Sequence, residues 1–181
     1  DWIEWGKPAP TRGGSLKVGK GLALGNQYSA EGTLSAAAVK VHSDGAIEVL
    51  HGGDEVGQGI NTILSQIVTE ELSVPTEKIR LVWGDTARTP YDFGSVASRG
   101  VFFTGTAVRL ACQDAKRQMF KRAATKLDAS PQDLEIRDGR IYVKGSPERV
   151  ITVGDLFSPG NLGAAMGETD LVGKATFNKP G

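Results

Sequence analysis

Cysteine and histidine are nearly absent from this sequence: Cys112 is the single thiol, and His42 and His51 are the two imidazoles. One cysteine excludes an internal disulfide. Three such ligands along the chain supply neither a Cys/His metal cage nor an iron–sulfur cluster, so any metal must arrive on something else. Excess charge is missing too. Lys and Arg total 21 against 21 Asp and Glu, and this balance gives no overall basic field to favour nucleic acid or an anionic membrane. No apolar run is long enough to span a bilayer, and the opening DWIEWGKPAP lacks the form of a signal peptide. The expectation is a soluble, cytoplasmic protein.

Glycine, by contrast, is plentiful, with 24 residues in a chain of 181 whose hydrophobic fraction of 39% suffices for one real core. Asp1 stands where a methionine would start a complete protein, and Pro8, Pro10, Gly13 and Gly14 give the opening the character of a linker. Residues 1–18 are therefore read as a linker and 19–181 as one domain fragment, a piece of something longer.

Residues 19–30, with Leu22, Leu24 and Tyr28 among small residues, suit a strand. Two extended runs flank Ser43-Asp44-Gly45, a strong hairpin signal. From Gln58 the period changes: Ile60, Ile63, Leu64, Ile67, Val68 and Leu72 recur at three and four, as on one helical face, until Pro75. KIRLVWGD then sets Ile79, Leu81 and Trp83 against Lys78, Arg80 and Val82, a half-buried strand. A polar connection of residues 85–100 leads to a long helix, about residues 101–127. Its inner face carries Ala107, Val108, Ala111, Cys112, Ala115, Met119 and Ala123, with Arg109, Lys116, Lys121 and Arg122 mostly outside. Ser130-Pro131 opens a short helix, Asp138-Gly139 repeats the hairpin signal, residues 151–157 suit a short helix and LVGKATF a last strand. The expected class is α+β, a mixed or antiparallel sheet with two main helices.

Two helix entrances stand out. Gly57-Gln58-Gly59 sits at a strand-to-helix turn, where the first N–H groups lack intrahelical partners and the dipole favours negative charge. Such a turn suits a phosphate, glycine permits close approach, and Gln58 adds an amide. The second entrance, Gly94-Ser95-Val96-Ala97-Ser98-Arg99-Gly100, offers hydroxyls, small residues and a guanidinium. A bland alternative stands beside each: a plain glycine turn at the first, and at the second Ser95 and Ser98 as caps with Arg99 in solvent. Other polar residues read as structural. Asp54 and Glu55 are adjacent and point apart, Cys112 suits a small core position, His42 and His51 end the strands of one hairpin, and Asp85-Thr86 suits a turn cap or a structural hydrogen bond across the loop.

The ordered motifs EVGQGINT, WGDTARTP and GSVASRGVFFTGTAV, from about Gly52 to Val108, resemble the molybdenum-binding large subunit of the xanthine dehydrogenase and aldehyde oxidase family. TPYDFGSVASR is closest in wording to bacterial members of the 4-hydroxybenzoyl-CoA reductase type. The resemblance implies a molybdopterin cofactor carrying molybdenum, in bacteria often with a nucleotide such as cytosine attached. By that match Gly57, Gln58 and Gly59 contact the pterin or its phosphate, and Ser95, Ala97, Ser98, Arg99 and Gly100 line the other side. It also implies iron–sulfur clusters and FAD on other subunits or domains, and a small organic substrate such as an aldehyde, an N-heterocycle or an aryl-CoA. The family's late GxGE motif, whose glutamate is the catalytic base, has no counterpart here, nor has its earlier phenylalanine–glycine–glycine motif, and Val56 stands where many members have methionine. The implied role is one cofactor-holding module of the large subunit, inactive alone. The competing expectations are a non-catalytic nucleotide- or phosphate-binding module and a structural assembly domain.

Overall fold

Asp44 and Gly45 turn the first hairpin as their chemistry requires: Asp44 Oδ1 accepts from the Ala46 amide at 2.9 Å, and Gly45 takes φ 82°, a left-handed conformation that favours glycine. The computed structural model describes residues 32–157 and 171–179, together with 7, 14, 15, 19 and 21–26. Strands β1 (Leu34–Val41) and β2 (Ile47–His51) pair antiparallel from Val41↔Ile47 to Ala37↔His51. Helix α1 (Ile60–Leu72) then returns the chain so that β3 (Ile79–Val82) runs parallel to β2. The last strand, β7 (Leu171–Asn178), closes the other edge antiparallel to β1, giving the order β3-β2-β1-β7. A second, antiparallel sheet comprises β4 (Leu134–Arg137), β5 (Arg140–Val143) and β6 (Ser146–Thr152). Its first turn places Asp138 and Gly139 at φ 49° and 69°, the two left-handed residues expected of a type I′ hairpin. The α+β class with two main helices is observed.

The alternation of β1 buries Ser35, Ala37, Val39 and Val41 on the side where α1 and α2 (Thr106–Leu127) pack. All seven residues assigned to the inner face of α2 are buried. That alanine-rich face allows close approach. A Cβ on Gly173 of β7 would lie 2.1 Å from the Ala111 carbonyl oxygen and 2.4 Å from the Ala115 amide nitrogen, so only glycine fits between strand and helix. The same core runs on through Leu134, Ile136, Ile141 and Val143 into the second sheet.

Four expectations need correction. Residues 21–26 form no strand, with Leu24 94% exposed; the rest of that segment, and most of the 1–18 linker, lies outside the described residues. The long helix begins as a π-helical turn, Gly100–Gly105, before α2. In β3 the alternation breaks at its end: Val82 is buried and Trp83 is 44% exposed. The connection after β3 returns over the sheet, where Arg88 Nη2 lies 3.7 Å from Glu48 of β2 and the Tyr91 carbonyl accepts from the Ala36 amide at 2.9 Å. Lys116 and Arg122 are half-buried, their cations over the rings of Phe120 and Phe157.

Candidate functional site: two helix entrances in one notch

The first entrance is already filled by the chain itself. Gly57 and Gly59 sit at φ 96° and 77°, where a Cβ would be strained, and Gly59 is the N-cap of α1 without a side chain to cap it. Glu55 does the capping. Its Oε1 accepts from the Gly57 and Gly59 amides at 2.9 and 3.1 Å, and its Oε2 from the Asn61 amide at 3.2 Å. The Asn61 amide foremost, then that of Gly59, hold this carboxyl below the ordinary glutamate range, against a small opposing effect of desolvation. The donors that the sequence offers to a phosphate are thus taken up by an internal carboxylate. The Asp54 backbone carbonyl accepts from Gln58 Nε2 at 2.7 Å and from the Ser95 hydroxyl at 2.8 Å.

The second entrance is held from beneath by a buried polar network. Asp85 opens the connection as a turn cap, its Oδ1 accepting from the Ala87 amide at 3.0 Å. Asp92 and Arg99 then form an ion pair of 2.6 Å with both side chains wholly buried. Arg99 Nη1 also donates to the Gly94 carbonyl at 2.9 Å, Nη2 to the Leu34 carbonyl at 2.9 Å and the Ser35 hydroxyl at 2.8 Å, and Nε to the Thr33 hydroxyl at 3.2 Å. Asp92 Oδ2 accepts from the Thr104 hydroxyl at 2.8 Å, and Oδ1 from the Gly94 amide at 2.8 Å. The rings of Phe103 and Phe93 flank the guanidinium at 4.8 and 5.6 Å. Every guanidinium donor therefore has an internal partner. The Arg99 side chain does not offer its charge to a ligand, and it is not in solvent either; it ties the loop to β1. Sequence reasoning missed Asp92, Ser35 and Thr104: Ser35 reaches Arg99 from 64 residues away, and Thr104 joins the network through Asp92, which no local pattern signals.

What Arg99 fixes is the backbone above it. Ala97 and Ser98 hold φ 45° and 58°, two consecutive left-handed conformations without glycine, a strain that the buried network offsets. Among the described residues, none accepts from the amides of Ala97, Ser98, Gly100, Val101 or Phe102, and the Ser98 hydroxyl also has no partner. The loop therefore presents open donors at the head of α2, the backbone arrangement that binds anions. Gln58 links the entrances: its Nε2 reaches the Ser95 hydroxyl at 3.5 Å, and its Oε1 accepts from the Val56 amide at 2.7 Å. Together Gln58, Ser95, Ala97, Ser98 and Gly100 line one notch of about 390 Å³, with Val56, Ile60, Ile63, Val96 and Val101 as its apolar walls. Larger hollows of about 770 and 580 Å³ lie elsewhere, one by the β1–β2 and β4–β5 turns and one on the outer face of the four-stranded sheet. Volume does not single out the notch; its row of open donors against apolar walls does.

Residues 1–180 match the family model of the molybdopterin cofactor-binding domain. The chain belongs to that family. It is 36% identical over 150 residues to the gamma subunit of the 6-hydroxypseudooxynicotine dehydrogenase complex of Paenarthrobacter nicotinovorans, covering 83% of this chain and 19% of that one. It is 29% identical over 182 residues to a probable hypoxanthine oxidase of Escherichia coli K12, covering 99% and 18%. The solved structure of reconstituted CO dehydrogenase from Oligotropha carboxidovorans superposes with a TM-score of 0.70 at 28% identity, over 81% of this chain and 18% of that chain. The domain thus spans about a fifth of the length of the curated relatives it matches.

The remaining reactive groups of the molybdopterin-binding domain lie off the notch. Burial pushes the Cys112 thiol up to about 12, so this residue is an inert part of the α2 packing. His51 is wholly buried and stacks on Trp83 at 6.5 Å between centroids. Desolvation lowers its pKa, and Asn61, Asp92 and Asp54 oppose that effect less strongly. Asn61 lies near the ring, yet neither ring nitrogen has a partner of hydrogen-bond geometry in the described structure. Among the described residues no three His, Cys, Asp or Glu side chains converge on a metal position, and no helix is long and apolar enough to cross a membrane.

Proposed function

We propose that this domain forms one flank of the cofactor site in a molybdenum-dependent oxidoreductase acting on a small organic substrate. The observation that carries the proposal is the meeting of both glycine-bearing entrances in a single notch, with open amides along one side and a glutamine amide on the other. The residues fit a molybdopterin. Its ring system suits the apolar walls of Val56, Val96 and Val101, all of which are exposed. Gln58 keeps an acceptor lone pair and the long Ser95 bond available for the polar edge of the pterin, beside Gly57 and Gly59. The Ser98 hydroxyl and the amides of Ala97, Ser98, Gly100, Val101 and Phe102 suit its negative charge, whereas the Glu55 carboxylate at the head of α1 repels it. Arg99 serves the site from below by holding those amides in place.

When bound, the cofactor supplies the molybdenum centre at which a substrate carbon is oxidised or reduced. The chain's part is to bind and orient that group. In this reading residues 1–18 link the domain, 19–181, to the remainder of the large subunit, which provides the catalytic base. Iron–sulfur and flavin subunits or domains carry the electrons, and the complex is cytoplasmic. The test is made in the complete enzyme, comparing molybdenum content, oxidised-pterin fluorescence and turnover of Gln58→Ala and Ser98→Ala with wild type. Leaving polar atoms of a buried pterin without partners costs about 1–3 kcal/mol, roughly a five- to hundred-fold loss of cofactor retention. The expected result is low occupancy with nearly unchanged thermal stability of the cofactor-free forms. Full occupancy and turnover in both variants would return the notch to a pair of plain turns.

A further inference from the structure

The three bonds that Glu55 accepts at the head of α1 point to a role for a residue outside the notch lining. We propose that Glu55 is a positioning residue, the domain's own resident anion, which locks the Gly57-Gln58-Gly59 turn in the shape that presents the Gln58 amide to the cofactor. This inference rests on the cofactor reading above and adds a residue to it. One carboxylate engages the amides of Gly57, Gly59 and Asn61, at 2.9, 3.1 and 3.2 Å. Those amides bracket Gln58 on both sides. Two of them belong to glycines at φ 96° and 77°, which impose little conformational preference of their own. Without Glu55 the Gly57, Gly59 and Asn61 amides would have no side-chain acceptor, since Gly59 caps nothing. The head of a helix is also where a negative charge is most favourable, so the carboxylate gains from the dipole as well as from hydrogen bonds. Gln58 in turn depends on the turn's shape, because its Oε1 accepts from the Val56 amide at 2.7 Å and its Nε2 donates to the Asp54 carbonyl at 2.7 Å.

The experiment uses the complete large subunit, with Glu55→Ala and Glu55→Gln compared with wild type. In the cofactor-free protein, amide hydrogen exchange is followed in peptides covering residues 55–63. Glu55→Ala is expected to raise exchange there about fivefold or more, and added formate, a free carboxylate, to lower it again in this variant while leaving wild type unchanged. Glu55→Gln keeps one accepting oxygen and should fall between the two. In the loaded enzyme, molybdenum content of Glu55→Ala should fall as far as in Gln58→Ala. Unchanged exchange in Glu55→Ala, or raised exchange that formate does not lower, overturns the resident-anion role. Raised exchange with full molybdenum content in Glu55→Ala overturns the positioning role if Gln58→Ala still loses cofactor. If Gln58→Ala also keeps its molybdenum, the cofactor reading itself has failed.

Discussion

Removing the carboxylate of Asp92 should damage the fold far more than removing any residue that lines the notch. The Asp92–Arg99 pair is 2.6 Å long with both side chains fully buried. In Asp92→Ala the guanidinium keeps its neutral acceptors, the Gly94 and Leu34 carbonyls and the Thr33 and Ser35 hydroxyls, but loses the one carboxylate paired with it among the described residues. Breaking a buried pair from one side costs about 3–5 kcal/mol, because an uncompensated charge stays buried. Total stability of a domain is about 5–15 kcal/mol, so the variant should lose a large fraction of it. At about 2–4 °C per kcal/mol for a chain of this size, the melting temperature falls by roughly 6–20 °C. Arg99→Met removes the other partner, leaving Asp92 with the Gly94 amide and the Thr104 hydroxyl. The double variant removes both charges, and its loss should be smaller than the sum of the two single losses by about 0.5–3 kcal/mol. The assay is chemical denaturation of the cofactor-free protein for the four members of the cycle. A loss below about 1 kcal/mol for Asp92→Ala, or strict additivity, would refute the network as the support of the loop and would restore Arg99 as a candidate ligand of the cofactor.

Gly173→Ala should lower the free energy of unfolding by about 1–3 kcal/mol or more, since the new methyl would meet backbone of α2 at 2.1 and 2.4 Å and backbone cannot step aside; a melting temperature within a degree of wild type would contradict that close approach. His51 gives a pH signature. Its folded pKa lies below the ordinary value of about 6.5, so the unfolded chain binds the proton first. Its contribution is fully present above about pH 6.5 and declines as pH falls from there toward the folded pKa. Stability of wild type should drop between neutral and mildly acidic pH, and His51→Phe, which keeps a ring against Trp83, should flatten that part of the curve. Equal slopes in the two proteins would show that His51 takes up its proton as readily folded as unfolded.

Much of the fold was legible because it follows from local rules. Asp-Gly corners set both hairpins, and a three-and-four spacing set α1 and the inner face of α2. β3 was found as a strand, but its terminal residue was placed on the wrong side, since what packs over a strand's end is not a property of the strand's own alternation. Leu22 and Leu24 suggested a strand by composition alone, and composition does not say whether a neighbour is there to pair.

For the site, the sequence by itself determined the two entrances, the residue types at them and, through ordered motifs, the family. Those features depend on neighbours along the chain: a glycine that permits a left-handed turn, a helix that begins one residue later. Tertiary structure alone decided which donors are open. It placed Glu55 on the amides of α1 and left those of Ala97, Ser98, Gly100, Val101 and Phe102 without acceptors among the described residues. It also turned Arg99 inward onto Asp92 and Ser35, at separations of 7 and 64 residues, with Thr104 bonded to Asp92. A buried guanidinium needs a full set of acceptors whatever their distance in sequence, and only the folded chain shows where they come from.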